Sequence, residues 1–155
     1  MFRLKFSVSK KVASAILRGT ADNNFKLKVN GSDHSTNHKW SHLNTADITS
    51  MLVSGNNELL CIVNKGSVGG LVGELTIKYT DGTSDYFPTG DKHWELSDTG
   101  DSWRKPVVLG EYGIGPWGQV LDNSIIKTYE FDAQSNNIYR MLAELKSKKS
   151  LSYEK

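Results

Sequence analysis

The sequence predicts an all-β sandwich with a helical C-terminal tail, and three observations carry that expectation. Short stretches of alternating apolar and polar residues run from Phe2 to about Val108. Tight-turn dipeptides punctuate them, and no segment of helical period interrupts them.

The elements follow in order. Phe2, Leu4, Phe6 and Val8 alternate with Arg3, Lys5 and Ser7 as a first strand does. The same stretch lacks the continuous apolar core and cleavage site of a secretory signal. The expectation is therefore a cytoplasmic chain, an unconventional exit route, or a fragment of a larger protein carrying an added methionine. A second strand begins over Ala13 to Leu17. Phe25, Leu27 and Val29 alternate with Lys26 and Lys28, and Asn30-Gly31 supplies the positive-φ residues of a tight hairpin. Asn30-Gly31-Ser32 also fits an N-glycosylation acceptor pattern, which is read here as the hairpin turn.

Asp47 to Leu52 reads as a half-buried segment, and Ser54-Gly55-Asn56-Asn57 as a turn into the strand Glu58 to Val63. Gly66 to Gly73 contains four glycines in eight positions. It suits either a close approach of backbone to backbone or ligand, or a loop. Glu74 to Tyr79 and Ser84 to Phe87 flank Asp81-Gly82 as a second hairpin. Leu109 to Gly118 is a loop dense in glycine and aromatics, and Ile125 to Phe131 suits a closing strand. From Asn137 to Lys149, Ile138, Met141, Leu142 and Leu145 share a helical face, with lysines crowding the C-terminal end. This gives a sandwich domain over 1–131 and a helical tail over 132–155. The tail either packs on the sandwich or joins copies into a homo-oligomer.

A length of 155 residues suits one domain with a real core, and 37% hydrophobic with 23% charged residues describes an ordinary globule. No apolar run approaches the ~20 residues that cross a bilayer, so no membrane insertion is expected. A net charge of +2 and a pI near 8.6 are too mild for a phosphate-binding surface, which argues against nucleic acid as a partner. Cys61, the single cysteine, lies in an apolar run and reads as a small buried hydrophobe.

Catalytic equipment is not legible. No Gly-x-Ser-x-Gly elbow, phosphate-binding glycine loop or His-Glu-x-x-His occurs. His34, His38 and His42 recur every four residues, as a helical metal site would require, but their Asn, Ser, Thr and Asp neighbours favour solvated loop histidines. Trp94, Trp103 and Trp117 read as core or loop packing. Asp22, Glu74 and Glu111 are scattered carboxylates from which a glycoside-processing site would have to be assembled.

Sugar sites combine a planar ring against the pyranose C–H face with Asp, Asn and backbone groups for the hydroxyls, often with an oxygen-coordinated calcium ion. Asp22-Asn23-Asn24 offers such a polar cluster at the entrance to a strand, and equally an Asx-turn. Trp40, in His38-Lys39-Trp40-Ser41-His42, suits an exposed stacking platform or a peripheral position.

Thr20-Ala21-Asp22-Asn23-Asn24-Phe25-Lys26-Leu27-Lys28-Val29-Asn30-Gly31, Asp47-Ile48-Thr49, Gly55-Asn56-Asn57-Glu58-Leu59 and Thr80-Asp81-Gly82-Thr83 occur in that order. Lys92-His93-Trp94-Glu95-Leu96-Ser97, Trp103 and Gly115-Pro116-Trp117-Gly118 follow. From Phe2 to Gly118 this series resembles the galactose-binding-domain-like jelly roll, especially the rhamnose-binding carbohydrate-binding modules of bacterial α-L-rhamnosidases. The resemblance implies non-catalytic, lectin-like binding of a neutral or deoxy sugar such as rhamnose, assisted by calcium. It implies Asp22 and Asn23 as contacts to both sugar and metal, Trp40 as the stacking ring, and Asn64 as a further calcium ligand. A structural or protein-interaction sandwich without a sugar site is the alternative. The tail after Phe131 has no counterpart in the family pattern.

Overall fold

The computed structural model describes residues 1–22, 24–34, 43–64, 70–112 and 121, with Asn64 described by its backbone. The chain divides into two compact units, Met1–Val107 and Val108–Lys155. The first is a β-sandwich. Its strands are β1 (Phe2–Val8), β2 (Val12–Asp22), β3 (Asn24–Val29), β4 (Ser32–His34), β5 (Asn44–Asp47), β6 (Gly55–Asn64), β7 (Gly70–Tyr79), β8 (Ser84–Pro88) and β9 (Trp94–Leu96). They form a five-stranded sheet in the order β4-β3-β6-β1-β9 and a four-stranded sheet in the order β5-β2-β7-β8. All pairings are antiparallel.

The period-two pattern is what makes two sheets stable. Leu4, Phe6 and Val8 of β1, Phe25, Leu27 and Val29 of β3, and Leu59 and Cys61 of β6 turn one row of side chains inward. Ala15, Leu17 and Ala21 of β2, and Leu75, Ile77 and Tyr79 of β7, meet them from the other sheet in one core cluster. Truncating Leu4 or Leu75, both fully buried, to Ala would cost about 2–5 kcal/mol. Cys61 sits in this core, where burial pushes its thiol up to about 12, so it is a packing residue.

The β3–β4 hairpin closes through Asn30 (φ 50°) and Gly31 (φ 82°) between the paired Val29 and Ser32. Both residues are left-handed, the geometry that Asn-Gly suits best. Asn30 is also a crosslink. Its amide nitrogen donates to the Met51 carbonyl and to Asn57 Oδ1, each at 2.9 Å, and its Oδ1 accepts from the Glu58 backbone N–H at 2.9 Å. The sequon nitrogen is thus committed to the fold. Asn57, buried, completes the network with bonds to Val53 and Gly55.

Several expectations change in detail. Asp47 to Leu52 splits into the end of β5 and a 3-10 turn, Thr49–Met51. The cause is Asp47 Oδ1, which accepts from both the backbone N–H and the hydroxyl of Thr49. The Thr49 hydroxyl oxygen accepts in turn from the Ala15 N–H at 2.8 Å. Half of the glycine run is strand, because β7 starts at Gly70. There Gly73 pairs directly with Gly19 of β2. A Cβ on Gly73 would lie 2.6 Å from the Arg18 carbonyl oxygen, so backbone does approach backbone.

Trp94 is 2% exposed and part of the core, and Trp103 packs under Arg3, whose guanidinium lies 3.8 Å from the ring centroid. Among the described residues of the second unit, the Tyr112 hydroxyl donates to the Leu121 carbonyl. Trp117, the closing strand at Ile125 to Phe131, the boundary at 131 and the helix at Asn137 to Lys149 lie outside the described residues. Within the described residues the protein is all-β apart from the single 3-10 turn, and no helix there is long and apolar enough to cross a membrane.

Candidate functional site

Asp22 ends β2 and Asn24 begins β3, so the chain crosses from one sheet to the other through Asn23 alone. Register then fixes what surrounds the crossing. Asp22 lies opposite Gly70, the first residue of β7, and Asn24 lies opposite Asn64, the last residue of β6. Directly opposed residues of an antiparallel pair have Cα atoms about 4.5–5.5 Å apart. The ends of β2 and β6 and the starts of β3 and β7 therefore meet at one end of the sandwich, bringing Asp22, Asn24 and the Asn64 backbone together.

The two strands that flank the Trp40 connection stop and start near the same end. β4 stops at His34, opposite Leu27, and β5 starts at Asn44, opposite Gly19, each three positions from the Asn24 and Asp22 ends of their partners. Asn23, Trp40, His38 and His42 themselves lie outside the described residues. His34 is in a strand and not on a helix, and its Nε2 lies 3.3 Å from the Asp47 carbonyl oxygen. Strand geometry removes the one-face helical argument for a histidine metal site.

Alternation along β2 assigns Asp22 to the outward row of Arg18 and Thr20, since Ala15, Leu17 and Ala21 fill the inward row. Asp22 is half-buried, while Thr20 is fully buried. Further along the same face lies Glu74, opposite Arg18 and buried, with the Tyr86 hydroxyl donating to its Oε2 at 2.6 Å. Burial raises the Glu74 carboxyl above its ordinary value, opposed by the Tyr86 hydrogen bond and the Arg18 charge.

The register also separates Asp22 from Glu74. Asp22 faces Gly70, and Gly70 is four residues, or ~13 Å of strand, from Glu74. Paired glycosidase carboxyls stand roughly 5–9.5 Å apart. Glu111 belongs to the second unit. The scattered carboxylates that a glycoside-processing site would have required are set apart as far as Asp22 and Glu74 are concerned.

Asn24 also lies at this end, a placement that the sequence did not single out beyond the polar cluster. Its signal was the pairing of an Asn at the start of one strand with an Asn at the end of another, which requires the β3–β6 register. The groups near this end, a carboxylate with side-chain amide and main-chain carbonyl oxygens, are hard-oxygen donors of the kind calcium takes, with Asp22 on the outward row of β2 and Asn24 on the outward row of β3 in the other sheet. Among the described residues, no group of three or more His, Cys, Asp or Glu is placed to hold a metal.

No protein-family model and no curated protein matches the chain. Solved structures do. The α-L-rhamnosidase of Streptomyces avermitilis, complexed with L-rhamnose, is 26% identical at a TM-score of 0.63, over 77% of this chain and 13% of that one. The α-L-rhamnosidase of Aspergillus terreus is 25% identical at a TM-score of 0.51, over 61% of this chain and 14% of that one. A lectin from Pleurotus ostreatus in complex with GalNAc is 22% identical at a TM-score of 0.63, over 77% of this chain and 39% of that one. This chain thus spans a small part of the rhamnosidases and well under half of the lectin. In fold it is similar to the galactose-binding-domain-like jelly roll, and in particular to a segment of the rhamnosidases and to the lectin.

Proposed function

We propose that the protein is a non-catalytic carbohydrate-binding module that takes a neutral or deoxy sugar at the end of the sandwich where β2 crosses to β3. The observation that carries this reading is the meeting of Asp22, Asn24 and Asn64 at that end, in a fold similar to a lectin and to a segment of rhamnosidases. Asp22 and Asn23 would accept and donate to sugar hydroxyls, and Trp40, between two strands that stop and start near the same end, would stack on the pyranose face.

Calcium assistance is part of the proposal. Asp22 would supply the carboxylate, with amide and carbonyl oxygens from Asn23 and Asn64. The ion would bridge the module to vicinal hydroxyls. A single carboxylate supports a weak site, roughly 10⁻⁴–10⁻³ M, because affinity grows with ligand charge count. Rhamnose and GalNAc are the sugars bound by the two similar proteins, and they head the panel to be tried.

The test is a glycan array probed with the full chain in calcium and again in chelator. Binding to neutral or deoxy sugars, lost on Asp22→Ala, supports the reading. An array without signal in either buffer favours the structural or protein-interaction sandwich, and hydrolysis of an aryl glycoside panel would instead mark an enzyme.

A further inference from the structure

We propose that the β3–β4 turn is a guarded deamidation site, in which the folded hairpin holds the Asn30 carboxamide away from ring closure and loss of that hold converts position 30 to an acid. The chemistry is intrinsic to Asn-Gly. The Gly31 backbone nitrogen, on losing its proton to base, attacks Asn30 Cγ. A new C–N bond forms, the Cγ–Nδ2 bond breaks, and ammonia leaves with the proton returned by solvent. Water then adds to either carbonyl of the succinimide and opens it to an aspartate or an isoaspartate. Glycine permits this because it has no Cβ to obstruct the approach of its own nitrogen.

The structure opposes the first step. Cyclisation requires Cγ to swing over the Gly31 peptide nitrogen, and the carboxamide is pinned at both ends. Nδ2 donates to the Met51 carbonyl and Asn57 Oδ1, and Oδ1 accepts from the Glu58 N–H. Rotation breaks all three bonds together. The Asn30 backbone N–H adds a fourth tie, donating to the Glu58 carbonyl at 2.9 Å. Asn57, buried and itself bonded to Val53 and Gly55, is the rigid side of the clamp.

Conversion would be damaging for a stated reason. A carboxylate at position 30 would present an oxygen where Nδ2 now donates, against the Met51 carbonyl and Asn57 Oδ1. An isoaspartate would add a main-chain carbon to a two-residue loop and displace the Val29–Ser32 pairing. The Asn57 clamp therefore protects the register of β4.

The experiment incubates the folded protein and the guanidinium-unfolded protein at mildly alkaline pH. It follows amide-to-acid conversion by mass on the tryptic peptide Val29–Lys39, and isoaspartate by methyl acceptance from an isoaspartyl methyltransferase. Conversion at position 30 should be slower in the folded chain by at least ~tenfold, because cyclisation must wait for local opening. Folded Asn57→Ala should convert faster than the folded wild type. A folded rate within about twofold of the unfolded rate overturns the proposal, since hydrogen-bonded amides open only at a free-energy cost. Equal folded rates in wild type and Asn57→Ala overturn it as well. The wild-type comparison needs no variant, so it decides the matter even where Asn57→Ala fails to fold.

Discussion

The Tyr86 hydroxyl donates to Glu74 Oε2 at 2.6 Å across the β7–β8 pair, on a sheet face that points away from the core, yet Glu74 is buried there. Burial is the largest influence on this carboxyl and raises it. A raised acid is protonated in the folded chain over a window where the unfolded chain is ionised. Its stabilising contribution is complete below the unfolded value, near pH 4.5, and is lost as pH rises through the folded value. Glu74→Gln is therefore expected to gain stability over wild type at pH 7, with the gain shrinking toward pH 4. Urea unfolding at the two pH values checks it, and a pH-independent difference would count against the assignment. Tyr86→Phe should cost about 1–3 kcal/mol at pH 7 by leaving a buried carboxylate oxygen without its donor.

Gly19 and Gly73 face one another in the central β2–β7 pair. A Cβ on Gly73 would lie 2.6 Å from the Arg18 carbonyl oxygen and 3.0 Å from Gly19 Cα, both backbone atoms that no rotamer change can move. Gly73→Ala is expected to cost about 1–3 kcal/mol, the usual price of overpacking. In a domain of about 100 residues, each kcal/mol lowers Tm by roughly 4–8 °C, so thermal unfolding reads the effect directly. An unchanged Tm would mean that the two strands can part without loss.

The parts of the fold that were legible are those with a local code. Phe25-Lys26-Leu27-Lys28-Val29 followed by Asn30-Gly31 dictates a half-buried strand and a two-residue turn without reference to anything distant. Gly70 to Gly73 was ambiguous because a glycine run specifies close approach without naming what approaches, and only the β2–β7 register supplies Gly19 as the answer. The same limit applied at the site. Asp22-Asn23-Asn24 is compatible with an Asx-turn on local chemistry, and its meeting with Asn64 and Gly70 depends on two inter-strand registers that link residues 40 and 48 positions apart. Arg18, Glu74 and Tyr86 were missed as a cluster for that reason too.

Arg3 shows how the segment after β9 is held. Its guanidinium donates to Glu95 Oε2 through Nε at 2.9 Å and a terminal nitrogen at 2.6 Å, and its flat face lies 3.8 Å from the Trp103 ring centroid. The Trp103 indole N–H donates to the Gly100 carbonyl, and Leu96 and Arg104 exchange backbone hydrogen bonds. Arg3→Lys keeps the charge but loses the planar fork and the stacking face. It should cost about 0.5–2 kcal/mol and expose residues 97–104 to protease. Limited proteolysis with mass mapping checks this, and an unaltered cleavage pattern would show that the backbone bonds alone secure the segment.

Asp22 separates a calcium-dependent site from a purely hydrogen-bonded one. Half-buried at a strand end, it can be changed with little effect on the core, so Asp22→Ala and Asp22→Asn should both stay within about 0.5 kcal/mol of wild-type stability. Sugar affinity should fall at least ~tenfold in Asp22→Ala, or ~1.4 kcal/mol. Asn keeps an acceptor oxygen for sugar hydroxyls but removes the negative charge that a hard cation requires. If calcium bridges the sugar, Asp22→Asn loses as much as Asp22→Ala, and chelator reduces wild type to the same level. If hydroxyls alone are bound, Asp22→Asn retains most of the affinity and chelator changes nothing. Titration calorimetry of both variants with and without calcium distinguishes the two, and wild-type affinity in Asp22→Ala would remove Asp22 from the site altogether.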